Sequence, residues 1–185
     1  MERHQFEIIA KRAHETGVEH GFWGTDHSDA HCLMLVISEL SEAVEADRKG
    51  KMADRKGYEE AVRGGTNERE AFEKYIKNTV GDELADAVIR LGDLAAARQL
   101  DFANWEYIRY VSLRIPHKNG RLLTEELFDD VARPLTGFDS LKFKIPTAVF
   151  SLLSIAGYRC IDLYWHIDKK MHYNDGREFM HGKLY

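Results

Sequence analysis

Apolar residues recur every three to four positions along most of the chain, and no segment sustains the two-residue alternation of a half-buried strand. Only three prolines interrupt this pattern, and two of them flank one short segment. We therefore predict an all-α protein built as a helical bundle. The predicted helices cover residues 2–16, 28–49, 79–98, 101–110, 123–131 and 146–173.

Glycine, proline and capping residues set the expected helix ends. Gly17 is expected to stop the first helix, and Ser28 or Asp29 to cap the second. Thr124 is expected to cap the short helix over 123–131. Pro146 fits the first turn of a long final helix, where its missing N–H leaves no hydrogen bond unmade.

Other parts of the chain are less regular. Residues 51–78 are charged and contain three glycines, a pattern compatible with short helices or with a loop. Residues 115–120 indicate a turn, and the wider segment from about 100 to 147 matches no motif. Because no internal repeat or domain boundary is evident, we expect a single domain over residues 1–185.

Charge and composition restrict the classes of partner. The 185 residues carry a formal net charge of −5, whereas binding of a nucleic-acid polymer requires a basic face. The longest apolar stretch, residues 148–161, is too short and too polar to span a bilayer. No signal peptide is evident after Met1, so we expect a cytoplasmic protein. Cys32 and Cys160 have no CxxC spacing and are expected to be reduced core cysteines.

Two predicted helices carry acidic pairs with the same spacing. Glu39 and Glu42 lie three residues apart in the second helix, and Glu83 and Asp86 do so in the third. Residues three apart share a helix face, with Cβ atoms about 5–6 Å apart, so one ion can contact both members of a pair. Each pair borders the apolar stripe of its helix. Packing of the two stripes against each other would bring four carboxylates together.

Four converging carboxylates repel one another unless a cation compensates their charge. Hard oxygen ligands favour Mg²⁺, with Mn²⁺ as a substitute, while water and phosphate oxygens fill the remaining positions. The alternative interpretation is that these are solvated acids on exposed helix faces. Asp93 shares a face with Asp86 and is a candidate to support the site. Glu45, Asp47 and Asp82 are expected to face solvent.

These motifs, ExxE in Glu39–Glu42 and ExxD in Glu83–Asp86, resemble those of the MazG-like all-α nucleoside triphosphate pyrophosphohydrolases. The segment that begins at Lys170 and includes His-Gly-Lys at 181–183 is similar to the ending of some members. Together the resemblance covers residues 23–98 and 168–185. It departs from the compact family spacing, since forty residues separate Glu42 from Glu83. An insertion at about 50–78 would explain this difference.

The resemblance implies a function and a set of site residues. The four acids are expected to bind Mg²⁺, while water oriented or deprotonated by Glu39 or Glu42 attacks a nucleoside triphosphate, canonical or modified. The products would be a nucleoside monophosphate and pyrophosphate, in a role of pool control or house-cleaning. The substrate-binding residues are expected to be Lys170, Asn174, Arg177, Lys183 and Trp23.

Each of these residues also has a plainer interpretation. Basic residues favour the C-terminus of a helix whether or not they bind a ligand. Trp23, in a glycine-flanked loop, either stacks on the base or plugs the core. His27 and His31 lie four residues apart and could both face one ligand, but without an HExxH motif or a third ligand we do not expect a zinc site.

The resemblance further implies a homo-oligomer, most simply a dimer, because family members build sites from helices that pack across subunits. The long apolar stripe predicted for the final helix is in keeping with this. Motifs of other phosphate-handling classes, such as a P-loop or a His-Asp dipeptide, do not occur. The alternative function is a non-catalytic helical module that binds nucleotides or a protein partner.

Overall fold

The computed structural model describes residues 1–112 and 120–179. Their regular secondary structure is entirely helical, with no strand in these ranges. This confirms the all-α prediction, while the turn predicted over 115–120 falls almost wholly outside the described residues. A π-helical segment, Leu127–Ala132, follows the seventh α-helix. The α-helices are α1 (Arg3–Glu19), α2 (Asp29–Arg48), α3 (Arg55–Arg63), α4 (Glu68–Tyr75), α5 (Val80–Ala97), α6 (Trp105–Ser112), α7 (Leu123–Glu126), α8 (Arg133–Thr136), α9 (Leu141–Tyr158) and α10 (Leu163–Asp175).

The bundle is organised around α5, which contacts α1, α2, α9 and α10. Thirteen of its 18 residues are buried, including the apolar stripe that the sequence predicts. A helix that is covered on nearly every side has to be apolar on nearly every side, and alanine, leucine and valine dominate α5. Thr79 begins the helix, its side chain accepting a hydrogen bond from the backbone N–H of Asp82. None of the helices in the described ranges is long and apolar enough to cross a membrane.

The segment between the two acidic motifs contains the short helices α3 and α4. Of the two alternatives for residues 51–78, short helices or a loop, the structure therefore has short helices. They form a second, smaller hydrophobic cluster against α10. Its centre is the stacked pair Phe72 and Tyr173, whose ring centroids lie 4.4 Å apart. The segment is therefore packed onto the helix that carries the basic residues of interest.

The first helix does not stop at Gly17, as predicted, but continues to Glu19. Gly17 is buried, and a Cβ added there would lie 3.2 Å from the indole nitrogen of Trp23 and 3.3 Å from a carboxylate oxygen of Asp93. The glycine thus makes room for a side chain from the next loop instead of ending the helix. The second helix begins as predicted, with Ser28 as its cap.

The predicted final helix is in fact two helices, α9 and α10, separated at residues 159–162. Cys160 adopts a positive φ of 56°, which ends α9, and the Asp162 side chain then accepts a hydrogen bond from Trp165 N–H to begin α10. Pro146 lies inside α9 and not in its first turn. Continuous apolar periodicity hid this break, because the residues on both sides of it are buried.

Smaller differences concern the middle of the chain and the cysteines. The predicted helix over 123–131 is a short α-helix that continues as the π segment, with Leu122 and not Thr124 preceding its first residue. The helix predicted over 101–110 begins only at Trp105. Both cysteines are free, but Cys160 is exposed and Cys32 only half-buried, so the expectation of core cysteines was wrong.

The contact between α5 and α10 depends on a missing side chain at Gly81. The buried ring of His166 lies over it, and a Cβ at this position would meet three ring atoms at 2.3–2.6 Å. We expect Gly81→Ala to push the helices apart and to lower the free energy of unfolding by about 1–3 kcal/mol. Gly157→Ala, where the added Cβ meets nothing within 4 Å, is the control. Urea unfolding of both variants tests this; equal stabilities would contradict it.

Candidate functional site

A cavity of about 260 Å³ opens between α1, α2, α5 and α10, and we refer to it as the central cavity. The four acids of the two motifs all line it, as do four of the five residues expected to bind substrate. Lys183 lies outside the described residues. The predicted residues on the cavity wall are Trp23, Glu39, Glu42, Glu83, Asp86, Lys170, Asn174 and Arg177.

Three of the acids, Glu39, Glu83 and Asp86, form the acid triad. Each offers one carboxylate oxygen, and these oxygens lie within 4.8 Å of one another. Glu39 and Glu83 are buried, and Asp86 is partly buried. The antiparallel packing of α2 on α5 produces this convergence, as the matched motifs predict. Glu42 is exposed at the cavity wall, outside the triad.

Two cations on the cavity wall, the partly buried Arg90 and the buried Lys170, contact the triad. The Arg90 guanidinium donates a hydrogen bond from Nε to Oε1 of Glu39 at 2.6 Å. The Lys170 ammonium lies 2.8 Å from Oδ2 of Asp86. In both acids these contacts engage one oxygen of the carboxylate. The cations thus fix the orientation of the carboxylates while leaving oxygens for another ligand.

Asp82 does not face solvent as expected, because α10 packs over the first turn of α5. It is fully buried, and its Oδ1 lies 2.9 Å from the Lys170 ammonium. Its other oxygen accepts a hydrogen bond from the backbone N–H of Asn78. Lys170 therefore bridges two carboxylates of α5. The sequence contains no local signal for this, since the partners are separated by more than 80 residues.

Burial and charge give the acids of the triad different proton affinities. Burial, reinforced by the neighbouring carboxylates, raises the pKa of Glu83 to about 8. Burial acts in the same direction on Asp86, but the charges of Lys170 and Arg90 outweigh it and lower the pKa of Asp86. Glu83 therefore holds its proton more tightly than Asp86 does.

The opposite end of the cavity is aromatic. Trp23 donates a hydrogen bond from its indole nitrogen to Oδ1 of Asp93 at 2.8 Å. The same oxygen lies 2.8 Å from Nδ1 of His14. Asp93 thus supports the cavity by fixing Trp23, and does not belong to the acid triad. The indole is packed at its edge by His14 and still lines the cavity.

His27 and His31 extend this aromatic wall. Their rings stack with centroids 4.7 Å apart, and Nε2 of His27 lies 2.9 Å from the backbone carbonyl of Phe22. Neither histidine belongs to a group of residues that could hold a metal ion in the described part of the chain. Spacing of four residues thus brings them together as stacked rings on the cavity wall.

Helix geometry gives the distance between the two ends. Ten residues separate Glu83 from Asp93, which corresponds to about 15 Å along α5. On α2, eight residues separate His31 from Glu39, or about 12 Å. The cavity therefore has an acidic end and an aromatic end, separated by about 12–15 Å along these helices.

Some residues of the cavity were missed by reasoning from the sequence. Arg90 had a usable signal, because it follows Asp86 by four positions and so shares its helix face. Lys77, Asn78 and Tyr173 had none, since their positions depend on how α3 and α4 pack against α10. Of the predicted set, Asn174 has a buried side-chain oxygen without a hydrogen-bond partner in the described chain.

Comparisons of the chain with protein-family models, with curated proteins and with solved structures gave no significant match.

The raised pKa of Glu83 makes stability depend on pH. Without metal, Glu83 is protonated in the folded protein up to about pH 8, but in the unfolded chain only up to about pH 4.5. Its contribution to stability is therefore complete below pH 4.5 and is lost as the pH rises through 8. In the Glu83→Gln variant, the free energy of unfolding should fall less steeply with rising pH, by about a few kcal/mol over this range.

Urea unfolding in EDTA at several pH values between 5 and 8.5 measures the effect. The exposed surface residue Glu45 provides a control, and Glu45→Gln should leave the decline unchanged. Parallel pH profiles for Glu83→Gln and the unmodified protein would show that Glu83 is not the titrating group.

Proposed function

We propose that the protein is a Mg²⁺-dependent nucleoside triphosphate pyrophosphohydrolase of the MazG-like type. The observation that carries this proposal is the acid triad at one end of a cavity whose other end is aromatic. A polyphosphate needs a divalent cation held by carboxylates, and a base needs an aromatic surface on which to stack. The cavity offers both at a separation that suits one nucleotide.

The residues present fit a divalent cation. Three converging carboxylate oxygens are hard ligands of the kind that Mg²⁺ binds, and Mn²⁺ is a reasonable substitute. Two cations, Arg90 and Lys170, face four carboxylates when Asp82 is included, and a divalent cation would balance the remaining negative charge. Glu39, Glu83 and Asp86 would hold the ion, with Glu42 at its exposed side.

When bound, Mg²⁺ would neutralise charge on the phosphoryl oxygens and lower the pKa of coordinated water. The chain supplies the rest. Glu42 is exposed at the cavity wall, where it can reach solvent water, whereas one oxygen of Glu39 is held by Arg90. Of the two residues that the sequence suggests as general base, we therefore prefer Glu42 to orient or deprotonate the attacking water.

The substrate would lie with its phosphates at the acidic end and its base against Trp23. Asp93 fixes the indole, so little conformational freedom is lost when a base stacks on it. Arg177 and Asn174 line the phosphate end. Lys170, already held by two carboxylates, acts chiefly by positioning Asp86. No side chain described here selects one base, so we propose triphosphates, canonical or modified, and a role in pool control or house-cleaning.

A pyrophosphate-release assay with Mg²⁺ on a panel of NTPs and dNTPs tests the proposal directly. Glu83→Gln should lower turnover at least ~100-fold, because a bound metal supplies several kcal/mol of transition-state stabilisation. Glu42→Gln should do the same, because it removes the preferred general base. Glu45→Gln, on the exposed surface of α2, should leave turnover unchanged. Metal-free melting temperatures of all three variants establish that they are folded.

Two results would contradict the proposal. Near-normal turnover in a folded Glu83→Gln variant would rule out the acid triad as the metal site. Binding of nucleotides by the unmodified protein with no release of pyrophosphate would assign it instead as a non-catalytic nucleotide-binding module.

We also propose that the protein forms a homo-oligomer, most simply a dimer. The apolar stripe predicted for the final helix does not support a dimer, because α9 buries its apolar side chains against other helices of the same chain. Support comes from exposed aromatic residues of the middle segment, among them Tyr107, Phe128 and Phe138. Light scattering at micromolar concentration should give twice the chain mass. A monomer would overturn the proposal.

A further inference from the structure

The segment between the acidic motifs contributes directly to the central cavity. Lys77 and Asn78, which follow α4 and precede α5, both line the cavity wall. Their position is fixed on both sides, since Ile76 is buried in the small cluster with Phe72 and Tyr173, and Thr79 caps α5. The inserted helices therefore deliver a lysine to the site.

Tyr173 holds this lysine in place. The Lys77 ammonium donates a hydrogen bond to the Tyr173 hydroxyl at 3.1 Å, and that hydroxyl donates to Oε1 of Glu73 at 3.0 Å. The tyrosine ring is itself fixed by stacking on Phe72. An ammonium group has three N–H donors, and this contact uses one of them. The others remain available to a ligand.

The cations around the cavity fall into two groups. Arg90 and Lys170 are bound to carboxylates of the acid-bearing helices. Lys77 and Arg177 have no carboxylate within salt-bridge distance in residues 1–112 and 120–179. Both lie over the Tyr173 ring, with charged centres 5.5 Å and 5.9 Å from its centroid. One aromatic ring thus anchors two cations whose charges are not compensated by ion pairs.

We propose that Lys77 and Arg177, anchored on Tyr173, form a polyphosphate-binding site beside the acid triad. The triad with its cation would hold one side of a phosphate chain and these two cations the other. Lysine acts on phosphate as a point charge, whereas the arginine guanidinium can bind two of its oxygens. Identification of the polyphosphate as that of a nucleoside triphosphate rests on the proposed function, but binding of the anion does not.

The Lys77 side chain is exposed, so its replacement should not disturb the fold. Lys77→Met should weaken binding of inorganic tripolyphosphate about 10-fold or more, because one charge-assisted hydrogen bond is lost. Arg177→Met should weaken it at least as much. Tyr173→Phe keeps the ring but frees the lysine, and a smaller loss of a few-fold is expected.

Isothermal titration calorimetry with tripolyphosphate in the presence of Mg²⁺ measures these affinities. Lys74→Met is the matched control, since Lys74 is an exposed lysine of α4 whose ammonium lies over Tyr75, off the cavity wall. The affinity of the Lys74→Met variant for tripolyphosphate should stay within twofold of that of the unmodified protein. Lys77→Arg should recover most of the affinity, and the melting temperature of Lys77→Met should match that of Lys74→Met.

The result distinguishes this proposal from the proposed function. Equal affinities of Lys77→Met and Lys74→Met, or no binding of tripolyphosphate by the unmodified protein, would overturn the polyphosphate site. A protein that releases no pyrophosphate from any triphosphate but binds tripolyphosphate through Lys77 would retain the site and lose the enzymatic function.

Discussion

The structure depends on accommodating carboxylic acids inside a hydrophobic bundle. The central helix α5 contributes many residues to the core and also carries Asp82, Glu83 and Asp86. Burying such groups without partners is strongly unfavourable. Arg90 and Lys170 make the arrangement possible, because each forms an ion pair with a carboxylate of the acid triad. Because only Arg90 and Lys170 serve the four acids Glu39, Asp82, Glu83 and Asp86, two negative charges remain when all four carboxylates are ionised.

Local spacing was sufficient to predict the parts of the site that lie on one helix face. Two residues three apart on a helix share a face whatever the rest of the chain does, and so the pairing of the acids could be anticipated. The same periodicity predicted α2 and α5 to within a residue or two. It could not show the break at Cys160, because buried residues continue the pattern on both sides of it.

The rest of the site depends on contacts between distant parts of the chain. Asp82 is buried because α10 covers it, and Lys77 reaches the cavity because Phe72 stacks on Tyr173. Gly17 was misinterpreted for a similar reason, since its role is set by Trp23 from the following loop. In each case the deciding partner is a side chain whose position cannot be obtained from neighbouring residues in the sequence.

The Lys170 bridge also bears on how the chain matures during synthesis. Asp82 and Asp86 are made more than 80 residues before their counter-ion. Until α10 has left the ribosome, α5 has neither this ammonium nor the helix that covers its first turn. A nascent chain that ends before α10 lacks the ammonium that pairs with these acids, so we expect the first turn of α5 to be buried late. Vectorial synthesis and this ion pair together make the first turn of α5 a late-forming part of the core by expectation.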